Sequence, residues 1–389
     1  MTRSSQVLAA CLISPIPLIG QIDELSEVKV TAKAIVEERE NGSATSIKAE
    51  ELLGRGAVTL PDALQREPGV SVPLDVAGVD SLVPYLEGGS NSINIRGLEG
   101  NRVQVLVDGI PQPDDFVARS FQGSGGPGRI YFDPAVFSSL NLLKAASPGS
   151  GSLAGSIAGQ TESPLTLLGE SLLGTAFSSI STYSSNNRSL NQRLAGGWGN
   201  GDLASSIVYS YRIGHELENN SDIPANPSDA ESHAAVWKTM IRNGGLMLVP
   251  TVEFFRSSAF TDLNSIEIDS LIGRTVDATS DSERTRFRAS LDFDYEPAGG
   301  SGFADRYTGM AYYQTSRSNN LNLQSVETPA GGLRNRVNDL SYLTDRAGVN
   351  LTAFKEIGAH SLICQYQGAR SDISGSLNRR DGLADPVDL

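Results

Sequence analysis

The chain has 389 residues, a formal net charge of −14, 40 glycines and two cysteines. That length holds two domains, and an acidic chain lacks the basic face that nucleic-acid phosphates need. Three scattered histidines (His215, His233, His360), with no Cys/His spacing of a zinc site, argue against metal catalysis.

The first element in chain order reads as a leader. Arg3 supplies a positive start, and Val7 to Ile19 is mostly apolar, although Pro15 and Pro17 interrupt it. Residues 1–20 are expected to be a signal peptide cut near Gly20, which leaves Cys364 as the single thiol of the mature chain. Leu8 to Cys11 imitates a lipoprotein cleavage box, but the apolar run before it is too short. No later segment has the ~18 consecutive apolar residues of a membrane helix. Any membrane insertion must use strands, the other structure that satisfies its own backbone in lipid.

Residues 33–164 mix short strands with short helices. Thr59 to Asp62 forms a capping-box pattern with a short helix through Leu64 and Arg66, stopped before Pro68-Gly69. Ser92 to Arg96 and Arg102 to Val107 alternate as strands. Asp108-Gly109, between Val107 and Ile110, is a hairpin-turn signal. Asp133-Pro134 starts another short helix, and Leu140 to Lys144 reads as a strand. Gly149, Gly151 and Gly155 serve turns better than a dinucleotide fingerprint, because no helix pattern follows them.

The stretch from Ile93 to Pro111, with Arg96-Gly97-Leu98-Glu99-Gly100-Asn101-Arg102 followed by Val105-Leu106-Val107-Asp108-Gly109, resembles the centre of the plug of TonB-dependent outer-membrane receptors. Its form is most similar to receptors for haem, haemoglobin and transferrin-type iron sources. Asp62-Ala63-Leu64, Pro68-Gly69-Val70, Phe132-Asp133-Pro134 and Gly149 to Gly155 resemble flanking plug segments in the same order. The family's V-E-V-L-R-G-P is replaced by Leu140-Asn141-Leu142-Leu143-Lys144-Ala145-Ala146. Within residues 21–32, Ser26, Glu27, Val28, Lys29, Val30, Thr31 and Ala32 resemble a TonB box, the extended stretch that pairs with the energising protein TonB. Taken alone, this stretch reads as an edge strand, the geometry that β-augmentation requires.

From residue 165 onward the pattern changes to long two-faced strands. In Thr285 to Tyr295, Phe287, Ala289, Leu291, Phe293 and Tyr295 fall on one face, and Arg286, Arg288, Ser290, Asp292 and Asp294 on the other. A period of two fits a lipid face backed by a wet lumen. Nine strands are predicted near 175–183, 189–198, 203–212, 233–242, 246–256, 285–295, 306–317, 342–354 and 360–370. Short connections alternate with long ones at 213–232, 257–284 and 318–341, apart from a short first connection near Ser184 to Arg188. Tight periplasmic turns and long external loops give this asymmetry in outer-membrane barrels.

The fold class expected is therefore an α+β plug followed by antiparallel transmembrane β-barrel strands, an incomplete barrel of the type with about 22 strands. Only 225 residues follow position 164, and Asp381 to Leu389 reads as a polar loop, so the chain is expected to be truncated. The resemblance implies no catalysis and no catalytic cofactor. It implies residence in a Gram-negative-type outer membrane, TonB and membrane lipid as partners, and uptake of haem or protein-borne iron. A ferric siderophore or another nutrient is the alternative, as is a non-transporting adhesin or structural barrel. Arg96, Glu99 and Arg102 are expected to lock the plug to the barrel wall. Tyr131 is the candidate iron-contacting residue, since Gln112 to Tyr131 contains no histidine.

Overall fold

The computed structural model describes residues 4–14, 44–54, 60–64, 66–72, 93–114, 130–145, 152–185, 187–216, 226–264, 269–270, 273–298, 303–358 and 360–383. Ser26 to Ala32 and Thr59 lie outside them, as do Gly149 and Gly151. The first strand, β1 (Ser4–Ser14), lies antiparallel to the last, with Cys11 opposite Cys364.

The mixed domain folds around a five-stranded sheet. It contains β2 (Ala44–Lys48), β5 (Val103–Val107), β6 (Ile110–Pro111), β7 (Phe137–Leu143) and β8 (Gly155–Thr161), in the order β2-β7-β8-β5-β6. Only the β5–β8 pair is parallel. Two short helices, α1 (Ala49–Gly54) and α2 (Leu60–Leu64), and a two-stranded pair, β3 (Val70–Ser71) with β4 (Asn94–Ile95), complete it. Alternation along β5 buries Val103, Val105 and Val107 on one side, where they pack with Ile47, Leu60, Leu64, Ile95, Phe137, Leu140 and Ile157. The turn between β5 and β6 has two central residues, Asp108 at φ 48° and Gly109 at φ 76°. Two positive φ values give the hairpin turn that follows strand twist, and the Asp-Gly pair supplies them. Asp133 caps a 3-10 turn at Pro134–Val136 by accepting from Ala135 N–H at 2.9 Å.

A short helix, α3 (Pro164–Leu168), links the two parts. Ser163 caps it in a reciprocal box with Thr166, and Pro164 occupies the first helical position. Nine strands then follow as a meander: β9 (Leu173–Ser184), β10 (Ser189–Asn200), β11 (Leu203–His215), β12 (Ser228–Asn243), β13 (Leu246–Asp262), β15 (Gly273–Tyr295), β16 (Arg306–Glu327), β17 (Leu333–Ile357) and β18 (His360–Leu383). A two-residue strand, β14 (Asp269–Ser270), pairs back onto β15. Each of the nine matches a predicted strand. Their outer ends run further than the sequence suggests, so the expected loop at 318–341 is mostly β16 and β17 joined by a five-residue turn, residues 328–332. Leu321 and Leu323 alternate there among mostly polar residues, an apolar pattern too short to mark a strand, but cross-strand pairing satisfies the backbone. Asp381 to Leu383 likewise belong to β18 rather than to a loop.

The two faces of the meander differ as β15 forecasts. Phe287, Leu291 and Tyr295 are exposed on the outer side, whereas Arg286, Arg288 and Ser290 are buried on the inner side, against the mixed domain. No helix among the described residues is long and apolar enough to cross a membrane.

Candidate functional site: the plug–wall latch

The inner face of the meander is not uniformly wet. Ala195, Val208, Ala234, Val236 and Phe255 join the core of the mixed domain, so one apolar cluster runs across the boundary. Ile110 packs with Met310 and Tyr312. Below them Leu172 of the linker, with Ala204 and Met240 of the wall, forms a further cluster against which Leu165 and Leu168 pack.

Charged groups are set into this apolar contact at two places. The first centres on Asp108. Its carboxylate accepts from Thr161 N–H at 2.8 Å and Thr161 Oγ1 at 2.7 Å, which ties the hairpin tip to β8. It faces Arg288 Nη2 at 2.6 Å and Lys238 Nζ at 3.1 Å in the wall. Arg288 also donates to Val107 O at 2.8 Å, and Lys238 to Thr161 O at 3.2 Å. Glu253 completes the network from β13, 2.7 Å from Arg288 and paired with Arg286. Burial pushes the Asp108 carboxyl pKa up, but the Lys238 and Arg288 charges and the two Thr161 hydrogen bonds outweigh it, holding Asp108 far below the usual carboxylate range.

The second place holds Asp133 and Glu162. Arg193 of β10 donates to Ala135 O at 2.8 Å and pairs with Glu162 at 2.6 Å. Asp133, fully buried, accepts from Ser210 Oγ at 3.3 Å and lies 3.5 Å from Arg212 Nη2 of β11. Removing one partner of such a buried pair strands a charge, so these contacts hold the domain in one position more than they add net stability.

The residues singled out in the sequence sit elsewhere. Arg96 and Arg102 are exposed and Glu99 is half-buried. None of the three makes an ion pair among the described residues, and Glu99 accepts from Asn94 Nδ2 at 3.4 Å. Arg102 contributes its carbonyl, which accepts from Leu153 and Ala154 N–H. The expected contacts of these three with the wall are therefore absent from the described residues, where Asp108, Asp133 and Glu162 make them instead. Tyr131 is buried in the hydrophobic core with Phe132 and Phe137. That location suits packing and does not open the phenol to a ligand. Among the described residues no group of three or more His, Cys, Asp or Glu could hold a metal ion.

Residues 37–156 match the family description "TonB-dependent Receptor Plug Domain". Transferrin-binding protein A of Haemophilus influenzae is 28% identical over 211 residues, 51% of this chain and 22% of that protein. Lactoferrin-binding protein A of Neisseria meningitidis serogroup B is 27% identical over 53% of this chain and 22% of that protein. The Hemoglobin-haptoglobin utilization protein B of Neisseria meningitidis serogroup C is 30% identical over 41% of this chain and 20% of its own length. The chain thus spans about a fifth of the curated relatives it matches. Among solved structures, the FrpB iron transporter of Neisseria meningitidis superposes with a TM-score of 0.57 at 13% identity, over 89% of this chain and 63% of the other. The FpvAI–pyocin S2 complex gives 0.59 at 14% identity, over 87% and 43%. Residues 37–156 therefore carry a TonB-dependent receptor plug domain, and the plug-on-strands fold as a whole is similar to that of these solved structures.

Proposed function

We propose that this chain provides the plug and wall strands of a receptor that takes up iron carried by a host protein, or haem. The observation that carries the reading is the latch itself. A plug held on the lumen face by buried ion pairs closes a passage at rest, and it can open it only when those pairs are exchanged or broken. The sequence relatives, transferrin-, lactoferrin- and haemoglobin-related by name, favour protein-borne iron over a siderophore. Haem or iron is cargo in this reading, and no catalytic cofactor is needed. Tyr131 takes no part, being packed in the core.

Energy for opening comes from TonB, which pairs with Ser26 to Ala32 as an added strand. A proline at Val28 removes a ladder donor and is expected to weaken capture of the receptor by TonB's C-terminal domain. Equal capture of the Val28→Pro variant would remove this segment from the reading. The cargo is tested in iron-starved cells carrying the complete receptor and given transferrin, haemoglobin or a ferric siderophore as sole iron source. Growth on transferrin or haemoglobin is expected. Growth on the siderophore alone would replace the reading with the siderophore alternative, and ligand binding without growth would favour an adhesin.

A further inference from the structure

Beside Asp108 lies a second set of buried polar groups that the latch leaves unused. Arg286 and Ser316 face each other across β15 and β16, as do Arg288 and Gln314 in the adjacent row. All four are buried on the plug side of the wall. Gln314 Nε2 donates to Pro111 O at 3.3 Å, which brings the end of the β5–β6 hairpin onto the same patch. The next plug residue, Gln112, is fully buried. Among the described residues, Arg286 Nε and Nη1, Arg288 Nε, Ser316 Oγ and both amide atoms of Gln112 have no hydrogen-bond partner. A buried donor left unmade costs about 1–3 kcal/mol, and more when charged, so such a concentration of them marks a place built to receive something.

The charges say what kind of occupant fits. The ion-pair network joins three cations, Lys238, Arg286 and Arg288, to two carboxylates, Asp108 and Glu253, and Glu253 serves both arginines. Asp292 lies further along the same face of β15, near the periplasmic turn, and is only half-buried. The unpartnered groups on the charged residues are three guanidinium N–H donors and one carboxylate oxygen, Glu253 Oε2; the donors outnumber the acceptor, and guanidinium N–H groups select an acceptor carrying negative charge.

We propose that this patch between the plug hairpin and β15–β16 is a binding site for a small oxyanion of the carboxylate or phosphate class. Arg286 Nε–H and Nη1–H supply the charge, and Ser316 Oγ–H and the Gln112 amide complete the shell. The anion bridges plug and wall, so its arrival or loss tunes how firmly the plug is seated. The site stands on these groups alone and does not depend on which iron source the receptor carries.

The test is calorimetric titration of the full chain, folded in detergent, with inorganic phosphate, using chloride at equal ionic strength as control. One saturable phosphate site is expected, with no matching response to chloride. Arg286→Gln is expected to weaken binding about tenfold or more, the worth of a charged hydrogen bond. Ser316→Ala, which leaves every charge in place and guards against misfolding of the arginine variant, is expected to weaken it about fivefold. Competition by acetate extends the site to carboxylates, such as one borne on a larger ligand, whereas its failure restricts the site to phosphate-class anions. Absence of saturable binding, or equal affinity in wild type and Ser316→Ala, overturns the proposal and leaves the patch to solvent.

Discussion

Asp108, at the tip of a plug hairpin, lies 2.6 Å from Arg288 in the wall, 180 residues later in the chain. No local signal links the two positions, and the contact exists only because the hairpin turn carries the carboxylate out of the plug sheet toward β15. Thr161 fixes the same carboxylate from within the plug, so the residue joins two plug strands to two wall strands.

Replacing Asp108 with Asn should therefore destabilise the docked plug by about 3–5 kcal/mol, because Arg288 and Lys238 lose their shared counter-charge while staying buried. Urea unfolding of the chain in detergent would show a lowered midpoint. In a double-mutant cycle with Arg288→Gln the two changes should cost far less together than their sum. Strict additivity would mean that the two side chains do not act as a pair.

The depressed Asp108 pKa fixes the sign of a pH effect. A carboxylate held below its unfolded value of about 3.9 adds stability that is fully present above that value and is lost as pH falls through the folded value. Docking should thus be unaffected by Asp108 between pH 8 and 5, and should weaken only in stronger acid. Comparing acid titrations of wild type and Asp108→Asn by near-ultraviolet circular dichroism isolates this step. A wild-type loss centred near pH 6 that the variant lacks would contradict the assignment.

Gly155 begins β8 at φ 136°, and a Cβ there would lie 2.0 Å from the Leu143 carbonyl oxygen. That neighbour is backbone and cannot rotate away. Gly155→Ala should shift the β7–β8 register and cost about 1–3 kcal/mol or more. Gly97→Ala, also at positive φ but with open space around it, should cost less. Similar losses in urea midpoint for both would show that backbone conformation, and not the Leu143 contact, governs Gly155.

Leu291 faces outward on β15, four residues before the end of the strand at Tyr295. A strand crosses the hydrocarbon in about 10 residues, which places Leu291 near mid-depth. Leu291→Arg should cost about 2–4 kcal/mol of membrane insertion, read as a smaller inserted fraction on folding into vesicles. The lumen-facing neighbour Ser290 should tolerate threonine without such a loss. Normal insertion of Leu291→Arg would mean that the outer face does not meet lipid there.

The sequence by itself determined the order of plug segments, the Asp108-Gly109 turn and all nine meander strands. Each of these is written in local chemistry: positive φ at Asp-Gly, or apolar residues at every second position, as in Phe287, Ala289, Leu291, Phe293 and Tyr295. The outer parts of β16 and β17 escaped it because they are mostly polar, and the short Leu321–Leu323 alternation is too brief to mark a strand. Only the tertiary structure decided which charges meet. Arg96, Glu99 and Arg102 stand in a Gly-punctuated charged run that suggests a lock, yet the described wall places no partner beside them. The buried pairs form where the plug sheet and the meander turn Asp108, Asp133 and Glu162 toward Arg288, Arg212 and Arg193. Partner choice is a property of the docked surfaces, because a carboxylate finds its cation through space and not along the chain.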